Sequence, residues 1–194
     1  DFPGYYSKRT LDDIKRAKLH NLDFDFSTSK SDFELFGNLY RQIMKEKNAS
    51  NDLLFKNDYF RKLSDINNTF VLTAKKDNSL VGGAVFILSR HSSYYHLSAI
   101  KNKKHFPGLS GLLLHLGIEY AHKSKSEKII LGGGMTSADD DSLLFFKKGF
   151  SHLKKQFFIG KMIVSEEEYK HLTAEHDKKN PHGGKIFLRY KYSK

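Results

Sequence analysis

The first third of the chain is predicted to form three helices and one strand. Apolar residues recur at helical spacing over 11–18 and 59–63, and a period of two predicts a strand over 22–26. Ser31 and Glu34 have the spacing of a capping box, in which the serine side chain caps the first turn of a helix. A longer helix is therefore predicted to begin after Ser31.

The middle of the chain changes to a strand pattern. Residues 70–74 and 80–88 are apolar and rich in β-forming types, and the turn signal at 76–79 between them predicts a hairpin. The pair Gly82-Gly83 within the second strand indicates a bulge or a close approach of two backbones. A third strand is predicted over 94–100.

The remainder is predicted to alternate helices and strands. The predicted elements are a helix over 109–123, a strand over 128–131, a helix from Asp139–Asp141 to Gly149, a strand over 156–164, a helix over 166–176 and a strand over 185–192. This order predicts an α+β fold with a mixed, mostly antiparallel central sheet and helices on both faces.

Composition excludes several classes of protein. A chain of 194 residues with 39% hydrophobic residues is typical of one globular domain, or at most two small ones. No apolar run approaches the ~20 residues of a bilayer-spanning helix. The absence of cysteine excludes disulfides, thiolate catalysis and Cys-zinc sites. No metal-binding histidine spacing is present, so we expect no metal. No nucleophile elbow or Walker A sequence is present either, so hydrolase and P-loop chemistry are unsupported.

The charge distribution points to an anionic partner. Lys and Arg number 33 against 22 Asp and Glu, a net charge of +11, and residues 78–118 contain no acid at all. Within that segment a basic, small-residue loop leads into the helix predicted at 109. The residues that could bind a phosphate there are Lys103, Lys104, Gly108, Ser110 and Gly111. The alternative is a solvated loop whose lysines serve solubility.

Three other features each allow two interpretations. The run Gly132–Gly134 either cradles a phosphate or lets another group pack against a strand end, and Asp139–Asp141 nearby disfavour a phosphate. Lys147 either stabilises a helix C-terminus or binds an anion in a cleft. His96 is either a structural sheet residue or a base, and simple alternation places Ser98 on its face.

Several phrases, in this order, resemble the GNAT acyltransferases and within them the Fem-type branch, the peptidoglycan-bridge aminoacyltransferases. The phrases are Tyr94-Tyr95-His96-Leu97-Ser98-Ala99, Leu131-Gly132-Gly133-Gly134, Phe146-Lys147-Lys148-Gly149-Phe150 and Phe187-Leu188-Arg189-Tyr190, together with Gly4-Tyr5 and Ile14-Lys15-Arg16-Ala17. The resemblance spans nearly the whole chain. It implies that two strands, 94–100 and 128–132, run parallel and part at their C-terminal ends.

The resemblance also implies a reaction, the transfer of an acyl or aminoacyl group to an amine. The donor would be acyl-CoA or aminoacyl-tRNA, and the acceptor an amine of a cell-envelope precursor, such as a peptidoglycan peptide or an amino sugar. Backbone N–H groups of Leu97, Ser98, Ala99 and Ile100 would bind the donor, the loop over 101–110 would hold its phosphates, and Lys147 would contact the acceptor or the developing charge. No general base is evident from the sequence: the proton transfer is either assisted by the substrate or carried out by a base such as His96.

The sequence also departs from the family pattern. The GNAT pyrophosphate motif reads Q/R-x-x-G-x-G/A, whereas the window 105–110 begins with His105 and ends with Ser110. We expect one GNAT-like domain over 1–194 with a leading helix in 1–20, acting in the cytoplasm and representing the C-terminal domain of a two-domain Fem-type chain. A non-catalytic RNA- or tRNA-binding module with a degenerate GNAT fold is the alternative.

Overall fold

The computed structural model describes residues 2–136, 140–179 and 187–188. The chain divides into two compact units, Asp1–His152 and Leu153–Lys194. The helices are α1 Lys8–Lys18, α2 Lys30–Glu46, α3 Asn57–Ser64, α4 Leu109–Lys123, α5 Ser142–Lys148 and α6 Glu166–Lys179, with short 3-10 turns at Phe2–Tyr5 and Asn51–Leu53. The strands are β1 Asp23–Ser27, β2 Thr69–Lys76, β3 Ser79–Ile87, β4 Ser93–Ile100 and β5 Ile129–Ile130.

The first unit is built on one five-stranded sheet whose strands follow the order of the chain. β1 to β4 pair antiparallel with their neighbours, and β5 joins β4 in parallel. One face of the sheet packs on α1 and α4, and the other packs on α2 and α3. The structure therefore confirms the predicted α+β fold with a mixed, mostly antiparallel sheet and helices on both faces.

The glycine pair in β3 lets the sheet approach both a neighbouring strand and a helix. The pairing of β2 and β3 shifts register between Ala74 and Lys75, beside Gly82. A Cβ at Gly83 would lie only 2.9 Å from the backbone oxygen of Leu72 and 2.9 Å from the Phe36 ring on α2. Both interpretations of the pair, a bulge and a close approach, are confirmed.

Two local predictions were wrong. The N-cap of α2 is Ser29, whose hydroxyl accepts a bond from the Asp32 N–H at 3.2 Å, so Ser31 lies inside the first turn. The segment 156–164 forms no strand, because a β pattern in the sequence needs a partner strand and no strand in the described residues pairs with it. The strand predicted over 185–192 lies outside the described residues, apart from 187–188.

The described part of the second unit consists of an irregular segment followed by α6. Apolar side chains from Leu153 to Val164 are largely exposed to solvent. The hydroxyl of Tyr169 on α6 donates to the backbone oxygen of Phe187 at 2.7 Å. Among all described residues, no helix is both long and apolar enough to cross a bilayer.

Candidate functional site

The first component of the site is an opening between two strands. β4 and β5 pair only at Ser93 with Ile129 and Tyr94 with Ile130, after which β5 ends while β4 continues to Ile100. The Ser93 N–H donates to the Lys128 carbonyl at 2.9 Å and fixes the parallel register. This confirms that the two strands run parallel and part at their C-terminal ends.

The ladder between β3 and β4 determines which amides of β4 face the opening. The Lys101 N–H donates to the Val81 carbonyl at 2.8 Å, and the N–H direction alternates along a strand. The N–H groups of Leu97 and Ala99 therefore point to β3, whereas those of Ser98 and Ile100 point to the side that β5 leaves open. Two of the four predicted backbone donors thus face the gap.

A bulge in β4 displays His96. Leu97 pairs with Val85 and Tyr95 pairs with Phe86, so His96 is the additional residue between them. His96 contacts the α2–α3 side of the sheet, where Leu97 also packs. Tyr95 packs on the α4 side and donates its hydroxyl to Ser98 at 2.6 Å. The prediction that Ser98 shares a face with His96 was wrong, because the bulge shifts the alternation.

A tyrosine that sequence reasoning missed contacts this histidine. The hydroxyl of Tyr59 on α3 is hydrogen-bonded to Nε2 of His96. The Tyr59 ring stacks on Phe55, with centroids 4.2 Å apart and planes 15° from parallel. Desolvation by the surrounding protein lowers the pKa of His96, which favours the neutral imidazole that a base requires.

The second component of the site is the loop between β4 and α4. Its residues 101–105 are exposed, and α4 begins after Gly108. No backbone carbonyl of the described residues accepts a bond from Ser110 or Gly111, whose N–H groups lie in the first turn of α4. Lys103 and Lys104 precede this turn. The pKa of Lys103 is lowered by desolvation and, to a lesser extent, by Lys47 at the end of α2.

Gly108 serves packing between helices. Its φ of +83° is left-handed, and a Cβ there would overlap the backbone oxygen of Asp13 on α1. The His20 ring, just beyond α1, also bonds the Pro107 oxygen at 3.2 Å. α1 therefore fixes the loop in place and covers one side of the α4 N-terminus.

The third component of the site follows β5. Gly132 has a φ of +77°, and the ammonium of Lys147 on α5 donates to the Gly133 carbonyl at 2.7 Å. Desolvation lowers the pKa of Lys147, while Asp141 acts in the opposite direction. Lys147 thus stabilises the glycine run and does not project freely.

The Asp141 carboxylate occupies the amides that a phosphate would need. It caps α5 through the Leu144 N–H at 2.8 Å and accepts bonds from the N–H groups of Met135 and Thr136 at 2.8 and 2.9 Å. A Cβ at Gly134 would overlap this carboxylate. These bonds lower the pKa of Asp141. The close-packing interpretation of the glycine run is therefore supported over a phosphate cradle.

Known structures share this architecture. No model of a protein family matches the sequence, and no curated protein sequence is similar to it. An aminoglycoside acetyltransferase from an uncultured soil metagenomic sample, in complex with sisomicin, superposes with a TM-score of 0.56 at 17% identity, over 74% of this chain and 97% of that one. FemX superposes with a TM-score of 0.61 at 15% identity, over 77% of this chain and 55% of that one.

A possible acetyltransferase from Clostridium difficile 630 superposes with a TM-score of 0.54 at 7% identity, over 73% of this chain and 98% of that one. The chain has a GNAT-like fold. Identities this low show the shared fold and leave the reaction to be argued from the site.

The gap and the loop carry groups that could bind an anionic ligand. Among the described residues, no group of three or more His, Asp or Glu could hold a metal ion. The opened edge of β4 presents the N–H groups of Ser98 and Ile100, and the loop beyond it presents lysines and the N–H group of Ser110, whereas Gly111 is buried against α1. The gap and the loop are joined directly, since the loop begins where β4 ends.

Proposed function

We propose that the chain is an N-acyltransferase that moves an acetyl, acyl or aminoacyl group from a phosphorylated carrier to an amine. The observation that supports it most is the parting of β4 from β5, which leaves the N–H groups of Ser98 and Ile100 without a paired strand in the described residues, beside a basic loop. The GNAT-like fold shared with acetyltransferases and with FemX supports the same class of reaction.

The geometry suggests a role for each group in the reaction. The donor carbonyl lies along β4, where an amide N–H stabilises the negative charge that develops on oxygen during attack. His96, neutral through desolvation, takes a proton from the attacking amine. Lys147 orders the Gly133 side of the gap, and its positive charge stabilises developing negative charge nearby.

The donor is acyl-CoA or aminoacyl-tRNA, which share phosphate chemistry. Lys103, Lys104 and the N–H group of Ser110 bind its phosphates at the start of α4. His105 and Ser110 stand where the GNAT motif has Gln or Arg and Gly or Ala. The contacts proposed for the donor are therefore backbone N–H groups and lysines. Either carrier is available in the cytoplasm, where we place the reaction.

The acceptor is an amine of a cell-envelope precursor, either a peptidoglycan peptide or an amino sugar. Two structural relatives support these choices. The first is the acetyltransferase whose structure was solved in complex with sisomicin, an aminoglycoside, and the second is FemX. On this chain the α2–α3 side of β4, where His96 and the Tyr59–Phe55 stack lie, is the face proposed for the acceptor.

Label transfer tests the proposal. Radiolabelled acetyl-CoA and charged tRNA are each incubated with amino sugars and with peptidoglycan peptides, and the labelled amide is measured. We expect transfer with one donor class. The double variant Lys103→Ala/Lys104→Ala should raise the donor KM by roughly tenfold, because two cation–phosphate contacts are lost.

The matched control is Lys123→Ala/Lys125→Ala. It removes the same charge at the opposite end of α4, roughly 20 Å away, and should leave the donor KM unchanged. The absence of transfer with every donor and acceptor class, from a folded protein, would contradict the proposal. Tight tRNA binding without transfer would instead support the alternative of a non-catalytic RNA-binding module, which the basic, acid-free segment 78–118 also allows.

A further inference from the structure

The pair formed by Tyr59 and His96 joins two elements that are distant in sequence. His96 stands in the β4 bulge, and Tyr59 reaches it from α3. Within the part of the chain that the structure describes, Nε2 of His96 bonds the Tyr59 hydroxyl while Nδ1 has no hydrogen-bond partner. The histidine as a whole remains exposed to solvent. One ring nitrogen is thus held by protein and the other is open to a substrate.

The tyrosine itself is held rigidly. Its ring stacks on Phe55 at 4.2 Å, meets Phe60 edge-on at 5.4 Å and lies 6.1 Å from the His96 ring between centroids. Phe60 is fully buried beneath it. Burial raises the pKa of Tyr59, so its hydroxyl stays protonated and neutral at physiological pH. A fixed neutral hydroxyl can orient an imidazole, and it either donates to Nε2 or accepts the Nε2–H according to the tautomer.

We propose that Tyr59 is a positioning residue that accepts the Nε2–H of His96 and so leaves the lone pair of Nδ1 free to take a proton from the acceptor amine. This inference rests on the proposed acyl transfer. It specifies the tautomer of His96, the ring nitrogen that accepts the proton, and Tyr59 on α3 as the residue that positions the ring. The bond that holds the imidazole is stronger for the imidazolium, because a charged donor makes the stronger hydrogen bond.

The step balances in atoms and electrons. The amine nitrogen forms a bond to the acyl carbon, and the bond from that carbon to the sulfur or oxygen of the carrier breaks. The proton lost by the amine passes to Nδ1 of His96, and the imidazolium then releases it to solvent. The departing sulfur or oxygen leaves with the electron pair and takes up a solvent proton.

Nitrogen NMR of the imidazole ring tests the tautomer without any substrate. The ¹⁵N shifts of His96, assigned by comparison with His96→Gln, should show Nε2 protonated and Nδ1 unprotonated in the wild type at neutral pH. The Tyr59→Phe variant should show a mixture of tautomers. Protonation of Nδ1 in the wild type would overturn the inference, because the proposed proton acceptor would then be occupied.

Kinetics test the same residue in the reaction. His96→Gln should lower kcat by about a hundredfold, in the range of general-base catalysis. Tyr59→Phe should lower kcat by about tenfold and leave the acceptor KM nearly unchanged. The control is Tyr120→Phe, which removes a tyrosine hydroxyl from an aromatic stack on the α4 side of the sheet, where the Tyr120 and Phe26 centroids are 4.6 Å apart. It should keep wild-type kcat.

The pH profile separates positioning from a general structural effect. Tyr59 from α3 contacts the His96 ring, and the lowered pKa of His96 arises from desolvation, with no contribution from a charged group of the described residues. Loss of the Tyr59 oxygen destabilises the imidazolium, so the acidic limb of kcat should move to lower pH in Tyr59→Phe. A limb that stays in place or moves to higher pH would overturn the inference.

The two proposals fail in different ways. A wild-type protein that transfers no acyl group to any amine contradicts the proposed function, whatever tautomer the NMR shows. Transfer by the wild type with equal kcat and equal pH profile in Tyr59→Phe contradicts only the role of Tyr59. Unchanged unfolding midpoints in Tyr59→Phe and Tyr120→Phe would show that either result concerns the site and not the stability of the fold.

Discussion

Gly108 occupies a conformation and a space that no other residue suits. Its φ is +83°, and a side chain would collide with the backbone oxygen of Asp13. We expect Gly108→Ala to lower the free energy of unfolding by about 3 kcal/mol, which combines left-handed strain with displacement of α1. Urea denaturation measures this loss, and Gly133→Ala, where a Cβ meets no atom within 4 Å, is the control.

The contrast between these glycines is informative. A small effect at Gly108, equal to that at Gly133, would show that α1 does not pack against the loop as described. A large loss of stability in Gly108→Ala would confirm that this glycine allows α1 to pack against the loop.

His115 makes the stability of the first unit depend on pH. It lies buried on α4, and its Nδ1 is 3.4 Å from the Tyr6 hydroxyl. Its pKa is lowered mainly by desolvation and slightly by Lys18, whereas Glu119 raises it. The unfolded chain therefore binds a proton more readily, so stability is complete above the ordinary histidine pKa near 6.5 and is lost as pH falls below it.

The measurement is the free energy of unfolding between pH 7.5 and pH 5.5, for the wild type and for His115→Gln. The wild type should lose more stability as the pH falls, because the buried imidazole of His115 resists protonation in the folded state, whereas the unfolded chain takes up the proton. The control variant is His105→Gln on the exposed loop between β4 and α4, which should lose as much stability between the two pH values as the wild type. Equal slopes in the wild type and His115→Gln would contradict the assignment.

At the scale of residues, the sequence could identify His96 but not its surroundings. A histidine within a predicted strand can be recognised from the sequence alone. The bulge that turns it to the α3 side depends on the pairing of β4 with β3. Tyr59 lies 37 residues away and carries no local signal beyond its predicted helix. The contact arises from tertiary packing, which a periodicity cannot encode.

Among the elements, the start of α2 offers a direct test. Ser29 accepts a bond from the Asp32 N–H, and the Asp32 carboxylate in turn accepts from the hydroxyls of Ser27 and Ser29 at 2.5 and 2.6 Å. Ser29→Ala should lower the free energy of unfolding by about 1 kcal/mol, the usual effect of a lost N-cap. Ser31→Ala should have almost no effect, as measured by thermal or urea unfolding.

The wrong cap has a simple physical origin. Ser29 and Ser31 both precede an acid by three residues, since Asp32 and Glu34 follow at that spacing, so the sequence contains two overlapping cap signals. An equal loss of stability in both variants would indicate that the helix start moves between them. Overlapping signals of this kind set the limit on predicting helix ends.

Helices and hairpins with their own periodicity were predictable, whereas strands that depend on distant partners were less so. β2, β3 and α4 have strong local patterns, and their predicted ranges agree closely with the structure. β5 was predicted over 128–131 and pairs only at Ile129 and Ile130. That short pairing creates the gap, and the resemblance to GNAT proteins, more than any local pattern, led to its prediction.

For the whole molecule, the distribution of charge is more informative than the net charge of +11. Within the acid-free segment, Lys101, Lys103 and Lys104 gather at the end of β4, and Lys47 lies close enough to act on Lys103. Arg90 precedes β4 and lies roughly 26 Å away, the length of an eight-residue strand. Within the acid-free segment the lysines therefore form one compact cluster, and the extent of a donor's contact with it differs between a few phosphates and a long polyanion.

The compact cluster predicts a shallow dependence of donor binding on salt. If the donor is acyl-CoA, whose phosphates contact only the loop over 101–110, log KM should rise with log salt with a slope of about 2. A charged tRNA that lies across the surface would contact many more cations and give a slope of about 5 or more. The donor KM measured from 50 to 400 mM potassium chloride distinguishes the two carriers. The slope should fall further in Lys103→Ala/Lys104→Ala and stay constant in Lys123→Ala/Lys125→Ala, because counterion release counts only those cations that touch phosphate.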